Sequence, residues 1–287
     1  MNKPESLRLS GVDHTARPTW KLRETVEFYR DTLGLPLVHT ISARGWGPES
    51  HPDFLHFFFD SGNGSTIAFF YYLGETKPEE RPVMRPAPDD HIYDATHTAW
   101  LADNTEQLLM WKEMLEAKGV EVSATTRHEV IESIYFRDPN GYFIEITVKL
   151  RALQALDAQD AALTLKAAID AEVAAQQTQH QVRDIDDVWR EKGKLLGNQC
   201  GIPMGGPGIF VPALAEFSSV VDAARDTRGW RVSQPSPGYF LIEADHAIEF
   251  SRKDLGLKPA VWYGLFTGGL CGRIETFDRD RVRIVKQ

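Results

Sequence analysis

Several things are scarce in this sequence. Two cysteines, Cys200 and Cys271, are all that 287 residues contain. That number excludes a disulfide-rich scaffold and a thiolate metal cluster, and it sets a reducing, cytoplasmic location as the expectation. The longest apolar runs, such as IAFFYYL, are far shorter than a membrane span. Residues 1–10, MNKPESLRLS, lack the apolar core of a secretory leader. No dense Lys/Arg block occurs, and the formal net charge is -9. Basic residues alternate with acidic ones, as in RKDLGLK and DRDRVRIVK, so no stripe is available to neutralise phosphates and nucleic acid is not an expected partner. A membrane is not expected either. GGPG and TGG lack the strand and helix context of a phosphate-binding loop, which leaves a nucleotide cofactor without support.

What is present is a core-forming composition, 42% hydrophobic and 25% charged, arranged in an order that occurs twice. The first unit reads as the strand SLRLSGVDHTA, a helix over TWKLRETVEFYRDTLG, then strands LPLVHTIS, DFLHFFFD and STIAFFYYL. Leu22, Val26, Tyr29 and Leu33 follow helical spacing, with Thr19 as cap and Gly34 as stop. SGNG is the turn between the last two strands. A proline-rich, charged connection spans residues 74–90. The order then returns: strand IYDATHTAW, helix NTEQLLMWKEMLEAKG capped by Asp103 or Asn104 and stopped by Gly119, and strands VEVSAT, VIESIYF and YFIEITVKL, with the turn DPNG before the last. The tripeptide HTA stands at His14 and again at His97, 20 and 22 residues before the helix-ending glycines. The two histidines therefore occupy corresponding positions of a βαβββ duplication.

The fold expected is α+β, with paired βαβββ modules over 1–150, a helical linker over 151–192 rich in Ala, Leu and Gln, and a small α+β domain or cap over 193–287. In the last region VPALAEFSSVVDAARDTRG reads as helix, and GYFLIEAD, HAIEF, AVWYGLFTG and RVRIV read as strands. Asp245 and His246 form a catalytic pair in the weakest sense only, because neighbouring strand residues face opposite ways. Trp262 and Tyr263 are candidates to cap a pocket, whereas Phe58, Tyr71, Tyr72 and Trp100 read first as sheet-face packing.

Glu145 completes the chemical pattern. Phe143, Glu145 and Thr147 share one face of their strand, and a carboxylate in so apolar a strand is costly unless paired or liganded. His14, His97 and Glu145 would make a two-histidine, one-carboxylate metal site with open positions, a set that suits Fe(II), with Mn(II) as the other candidate.

GVDHTA, ETVEFYRDTLGLPLV, DATHTAW and YFRDPNGYFIEIT resemble the vicinal-oxygen-chelate superfamily, which includes glyoxalase I, fosfomycin-resistance enzymes and type I extradiol catechol dioxygenases. The resemblance covers residues 8–148 and implies modules of the glyoxalase/bleomycin-resistance/extradiol-dioxygenase type around a metal held by His14, His97 and Glu145. A glyoxalase-like enzyme commonly adds a carboxylate ligand where this chain has Ile67, Ala68 and Phe69, which cannot ligate. The resemblance to the dioxygenases places an active-site tyrosine at Tyr135 and a nearby histidine at His128, two residues closer to the tyrosine than is usual. It also assigns an acid–base histidine to the position of Ser65, a departure for which His128, His56 or His39 are candidate replacements. The implied function is a non-haem Fe(II) extradiol dioxygenase taking a small aromatic diol and O2, in a chain that also has the makings of a homo-oligomer. A glyoxalase-like isomerase or transferase and a metal-free aromatic-binding protein are the alternatives.

Overall fold

The computed structural model describes residues 9–32, 35–45, 50–75, 94–137, 143–202 and 206–287. Gly34, the connection beyond Glu75, the DPNG turn and Tyr142 lie outside them.

The duplication is realised as one eight-stranded sheet. Module one comprises β1 (Val12–Pro18), α1 (Leu22–Val26) continuing as a wider π-helical turn over Glu27–Thr32, β2 (Leu37–Ala43), β3 (Phe54–Gly62) and β4 (Ser65–Tyr72). Module two comprises β5 (Thr98–Leu101), α2 (Thr105–Ala117), β6 (Thr126–Arg127), β7 (Ile131–Arg137) and β8 (Phe143–Lys149). The strand order is β2-β3-β4-β1-β5-β8-β7-β6. Within each module the first strand pairs parallel with the last, and β1 meets β5 antiparallel at the centre. The two halves are thus related by an approximate two-fold through the β1–β5 pair.

The period of two decides what each face holds. On the helix side of module one, Leu55, Phe57, Phe59 and Phe69 join Leu22 and Val26 of α1 in one cluster. On the helix side of module two, Ile134, Ile146 and Val148 pack with Leu108 of α2. The opposite face carries His14, His56, Phe58 and Glu145. Local signals place the helices only approximately. Asn104 caps α2, its side chain accepting from Gln107 N–H at 2.9 Å. Thr19, expected as the cap of α1, instead stands outside it. Lys21 is the N-cap, and the Thr19 hydroxyl accepts the Lys21 N–H at 3.1 Å and meets Thr25 Oγ1 at 2.8 Å. VEVSAT forms little regular strand. Ser123 pairs with Tyr135 by both N–H and hydroxyl, and regular pairing starts only at Thr126.

The region after residue 150 lies against module one. Helices α3 (Ala155–Gln177) and α4 (Ile185–Cys200) occur in the stretch expected to be helical, but α3 packs along β2, and α4 runs past residue 193 to pack on β13 (Leu270–Cys271). The remaining elements are β9 (Gly208–Pro212), α5 (Ser218–Asp226), β10 (Trp230–Ser236), β11 (Tyr239–Ala244), β12 (Ala247–Ser251), α6 (Pro259–Tyr263), β14 (Arg273–Phe277) and β15 (Arg281–Val285). They form a sheet of order β10-β11-β9-β13 and another of order β12-β15-β14. AVWYGLFTG, read as a strand, opens with α6 instead. Pro259 stands at its start, and Val261, Trp262, Leu265 and Phe266 are all buried, so an apolar run surrounded by protein shows no period. A single hydrophobic cluster joins α1 and β3 to α3, α4 and β15. Trp189 Nε1–H donates to Ser42 Oγ at 3.0 Å, and Ser42 Oγ donates to Thr267 at 2.9 Å, locking β2, α4 and the turn after α6 together. Among the described residues no helix is long and apolar enough to cross a membrane.

Candidate metal centre

His14 lies within β1 and His97 one residue ahead of β5. The antiparallel register, His14 opposite Ala99, brings their rings to a centroid separation of 5.5 Å. The parallel pairing of β5 with β8 sets Ala99 beside Glu145, so Glu145 joins the two histidines from the neighbouring strand. One ligand atom from each of the three lies within 4.8 Å of the others. Glu145 Oε2 is 2.9 Å from His97 Nε2 and 3.7 Å from His14 Nε2. Ligands about 2.1 Å from a shared ion at right angles would stand about 3 Å apart, so these separations fit a divalent metal.

The remaining hydrogen bonds fix which nitrogen is available. His14 Nδ1–H donates to Asp13 Oδ1 at 2.9 Å, and His97 Nδ1–H donates to the Asp94 carbonyl at 2.8 Å. Both Nε2 atoms are therefore turned toward Glu145, with Nδ1 held from outside as in metal-bound imidazoles. Glu145 Oε1 accepts from Ser133 Oγ at 2.5 Å, and Ser133 also lies 3.0 Å from Thr147 Oγ1. Burial opposes charge on Glu145, but the His97 hydrogen bond and the two imidazoles outweigh it and hold the carboxyl well below the usual range. Burial likewise opposes protonation of His14, yet Asp13 and Glu145 raise its pKa.

Tyr135 stands opposite Glu145 on β7, stacked on Phe143 at 5.4 Å, and its hydroxyl is 2.9 Å from His128 Nε2. Burial, then the Glu145 charge, raise the phenol, while burial pushes His128 down to about 4, so both are neutral near pH 7. His56 is also on this face, its ring stacked 3.7 Å over Phe70 and 6.1 Å from His14, with Nδ1–H donating to the Phe69 carbonyl at 3.1 Å. Ser65 turns away, its hydroxyl donating to the Val12 carbonyl at 2.6 Å, and Thr66 is the residue in register with His14. Ala68 lies two further along that face, fully buried, and among the described residues no fourth ligand joins the cluster.

A cavity of about 270 Å³ opens beside the triad. Asp13, His39, Phe58, Thr66, His128 and Leu153 are among the residues that line it. The Phe58 ring is 5.5 Å from that of His14 and 5.5 Å from that of His39. The volume is close to the small end of ligand clefts, about 300 Å³. A separate cavity of about 350 Å³ between α4 and β13 contains none of these residues. Trp262 is buried in the C-terminal core, where it donates to the Asp278 carbonyl at 2.8 Å, and neither it nor Tyr263 lines the cleft. Asp245 is exposed and pairs with Arg231, not with His246. Sequence reasoning passed over Asp13 and Ser133. Ser133 was legible, lying two residues before Tyr135 on one strand and hence on its face.

Residues 11–146 match the Glyoxalase/Bleomycin resistance protein/Dioxygenase superfamily. Over that stretch, just under half of the chain, it is similar to that superfamily. A stretch of 52 residues is 38% identical to biphenyl-2,3-diol 1,2-dioxygenase 2 of Rhodococcus globerulus, covering 18% of this chain and 27% of that protein. The chain therefore matches about a quarter of that relative's length. Solved structures similar to this one include methylmalonyl-CoA epimerase from Mycobacterium tuberculosis, at 17% identity and TM-score 0.37 over 52% of this chain and 94% of that one. The 2,3-dioxygenase LapB from Pseudomonas sp. KL28 matches at 21% identity and TM-score 0.35, over 50% and 44% respectively. Similarities of that size identify neither a reaction nor a substrate.

Proposed function

We propose that this chain is a non-haem Fe(II)-dependent extradiol dioxygenase that opens the ring of a catecholic substrate with O2, in a cytoplasmic setting. The observation that carries the reading is the triad of His14, His97 and Glu145, with both imidazoles oriented through Nδ1 so that Nε2 faces a buried carboxylate. These three residues would hold the metal. Bound there, Fe(II) would supply coordination sites for the two diol oxygens and for O2, and would favour the deprotonated diol.

The rest is the work of side chains. Tyr135, neutral and hydrogen-bonded to His128, donates to a substrate oxygen beside Glu145. His128, neutral with its pKa near 4 in the free site, lines the cleft and accepts a proton once substrate charge develops beside it. His56 sits next to His14 and is the histidine nearest to the role that Ser65 cannot fill. Phe58 closes one side against the ring, and burial of the whole set excludes bulk water. A three-ligand site, with Ala68 where a fourth carboxylate would stand, favours oxygen chemistry over glyoxalase-like isomerisation, because it leaves more positions open.

The test is anaerobic loading with Fe(II) or Mn(II), followed by a panel of aromatic diols in oxygen. One O2 consumed per ring opened supports the reading. Turnover of other substrates with Ni(II) or Zn(II) and no oxygen uptake would replace it with isomerase or transferase chemistry. Binding of aromatic compounds by a protein that takes up no metal would point to sequestration instead.

A further inference from the structure

The two oxygens of Glu145 have different neighbours. Oε2 faces the imidazoles, 2.9 Å from His97 Nε2 and 3.7 Å from His14 Nε2. Oε1 instead accepts from Ser133 Oγ at 2.5 Å. The register of β7 against β8 makes this contact. Ser133 stands opposite Thr147, and Tyr135 opposite Glu145, so Ser133 reaches Glu145 along the diagonal of one face. Ser133 and Thr147 are completely buried and Glu145 is 1% exposed, so bulk water does not reach the hydroxyl.

A serine hydroxyl has a single proton to give. Ser133 Oγ also lies 3.0 Å from Thr147 Oγ1, but a charged carboxylate accepts more strongly than a neutral hydroxyl. The proton therefore goes to Glu145 Oε1, and Thr147 gives its own to Ser133 Oγ or to the Glu132 carbonyl, 3.4 Å away. Tyr135 also bears on both Ser133 and Glu145, but its hydroxyl has a further partner in His128 Nε2 at 2.9 Å. Turning Oε1 toward the imidazoles would draw it away from Ser133 and leave a buried hydroxyl without its charged acceptor, which is costly. The contact has a chemical consequence. A two-histidine, one-carboxylate site is useful for its open positions, and the proposed reaction fills them with both diol oxygens and O2. A carboxylate that ligates through both of its oxygens would take one of those positions.

Resting on the metal-binding reading of the triad, we propose that Ser133 is the positioning residue that restricts Glu145 to one ligating oxygen. It holds Oε1 toward β7, so that Oε2 alone is presented to the ion. A hydroxyl that never touches substrate thereby keeps room for diol and oxygen together.

The infrared difference between Fe(II)-loaded and metal-free protein, recorded under nitrogen, reads this without turnover. Ligation through one oxygen keeps the two carboxylate stretches far apart, and ligation through both draws them together. Glu145→Gln identifies the bands by their loss. The wild type should show the wide separation. So should Thr147→Val, which removes the neighbouring hydroxyl at closely matched volume. Ser133→Ala should show the narrow one, and its kcat/KM for oxygen should fall about tenfold, the scale of a lost contact behind a metal ligand. A narrow separation in the wild type overturns the inference without any variant. A wide separation that persists in Ser133→Ala overturns it as well, and if Tyr135→Phe narrows the bands in its place the tyrosine is the holder. Each of these results leaves metal binding intact. A wild type that takes up no divalent ion overturns the reading of the triad, and this inference with it.

Discussion

A histidine coordinates through whichever ring nitrogen its other nitrogen leaves free, so the partners of Nδ1 matter as much as the triad itself. For His97 that partner is a backbone carbonyl, beyond the reach of substitution; for His14 it is the Asp13 carboxylate. Asp13→Asn keeps an acceptor but removes the charge that supports the imidazole. Metal affinity should fall about tenfold, measured by competition with a chelator, while the melting temperature of the metal-free protein changes little. An unchanged affinity would detach Asp13 from the centre. At this scale the sequence was readable where chemistry is written locally. Two HTA stretches and a glutamate in an apolar strand named the triad. His39 and Glu129 were opaque as a pair, because nothing in either neighbourhood says that residues 90 positions apart meet in the fold.

Between elements, two contacts carry predictions. Tyr71 of β4 donates its hydroxyl to Glu172 of α3. Burial, then the nearby Glu24 charge, raise Glu172 from 4.5 to about 7. A carboxyl whose pKa is raised by folding favours the folded state while protonated. Its contribution is complete below about 4.5 and is lost as pH rises to about 7. Glu172→Gln should therefore match the wild type in thermal melts near pH 4 and exceed it near pH 8; parallel curves across that range would refute the assignment. The second contact is Lys192 of α4, fully buried, with Nζ 2.6 Å from each of Asp160 Oδ1, Thr164 Oγ1 and the Thr267 carbonyl. Tyr239 donates to the same Asp160 oxygen at 2.7 Å. Lys192→Met strands the Asp160 charge inside the protein and should cost about 3–5 kcal/mol in denaturant unfolding. A loss under about 1 kcal/mol would mean that the network relaxes around the gap. Periodicity located α1, the repeated order with its cap and stop located α2, and composition located the helices after residue 150. Periodicity failed at α6, where protein surrounds an apolar run and no contrast remains to read.

Across the whole molecule module one and the C-terminal region share one apolar cluster, from Val26 of α1 through Trp189 of α4 to Ile284 of β15. Neither side can unfold without exposing the other's core. The full chain should give a single calorimetric transition whose measured and van't Hoff enthalpies agree, rather than separate melting of residues 1–150. Two resolved transitions would show that the shared cluster contributes little. By itself the sequence determined the repeated βαβββ order, the sheet faces and the three metal-binding candidates, since strand period, turn residues and a duplicated motif are local properties. Only the tertiary structure decided that β1 meets β5 antiparallel, that α3 packs along β2, and that His39 and Glu129 come within 3.7 Å of each other. Those outcomes depend on which surfaces exclude water together, and the energy of that choice belongs to pairs of distant segments, not to any one of them.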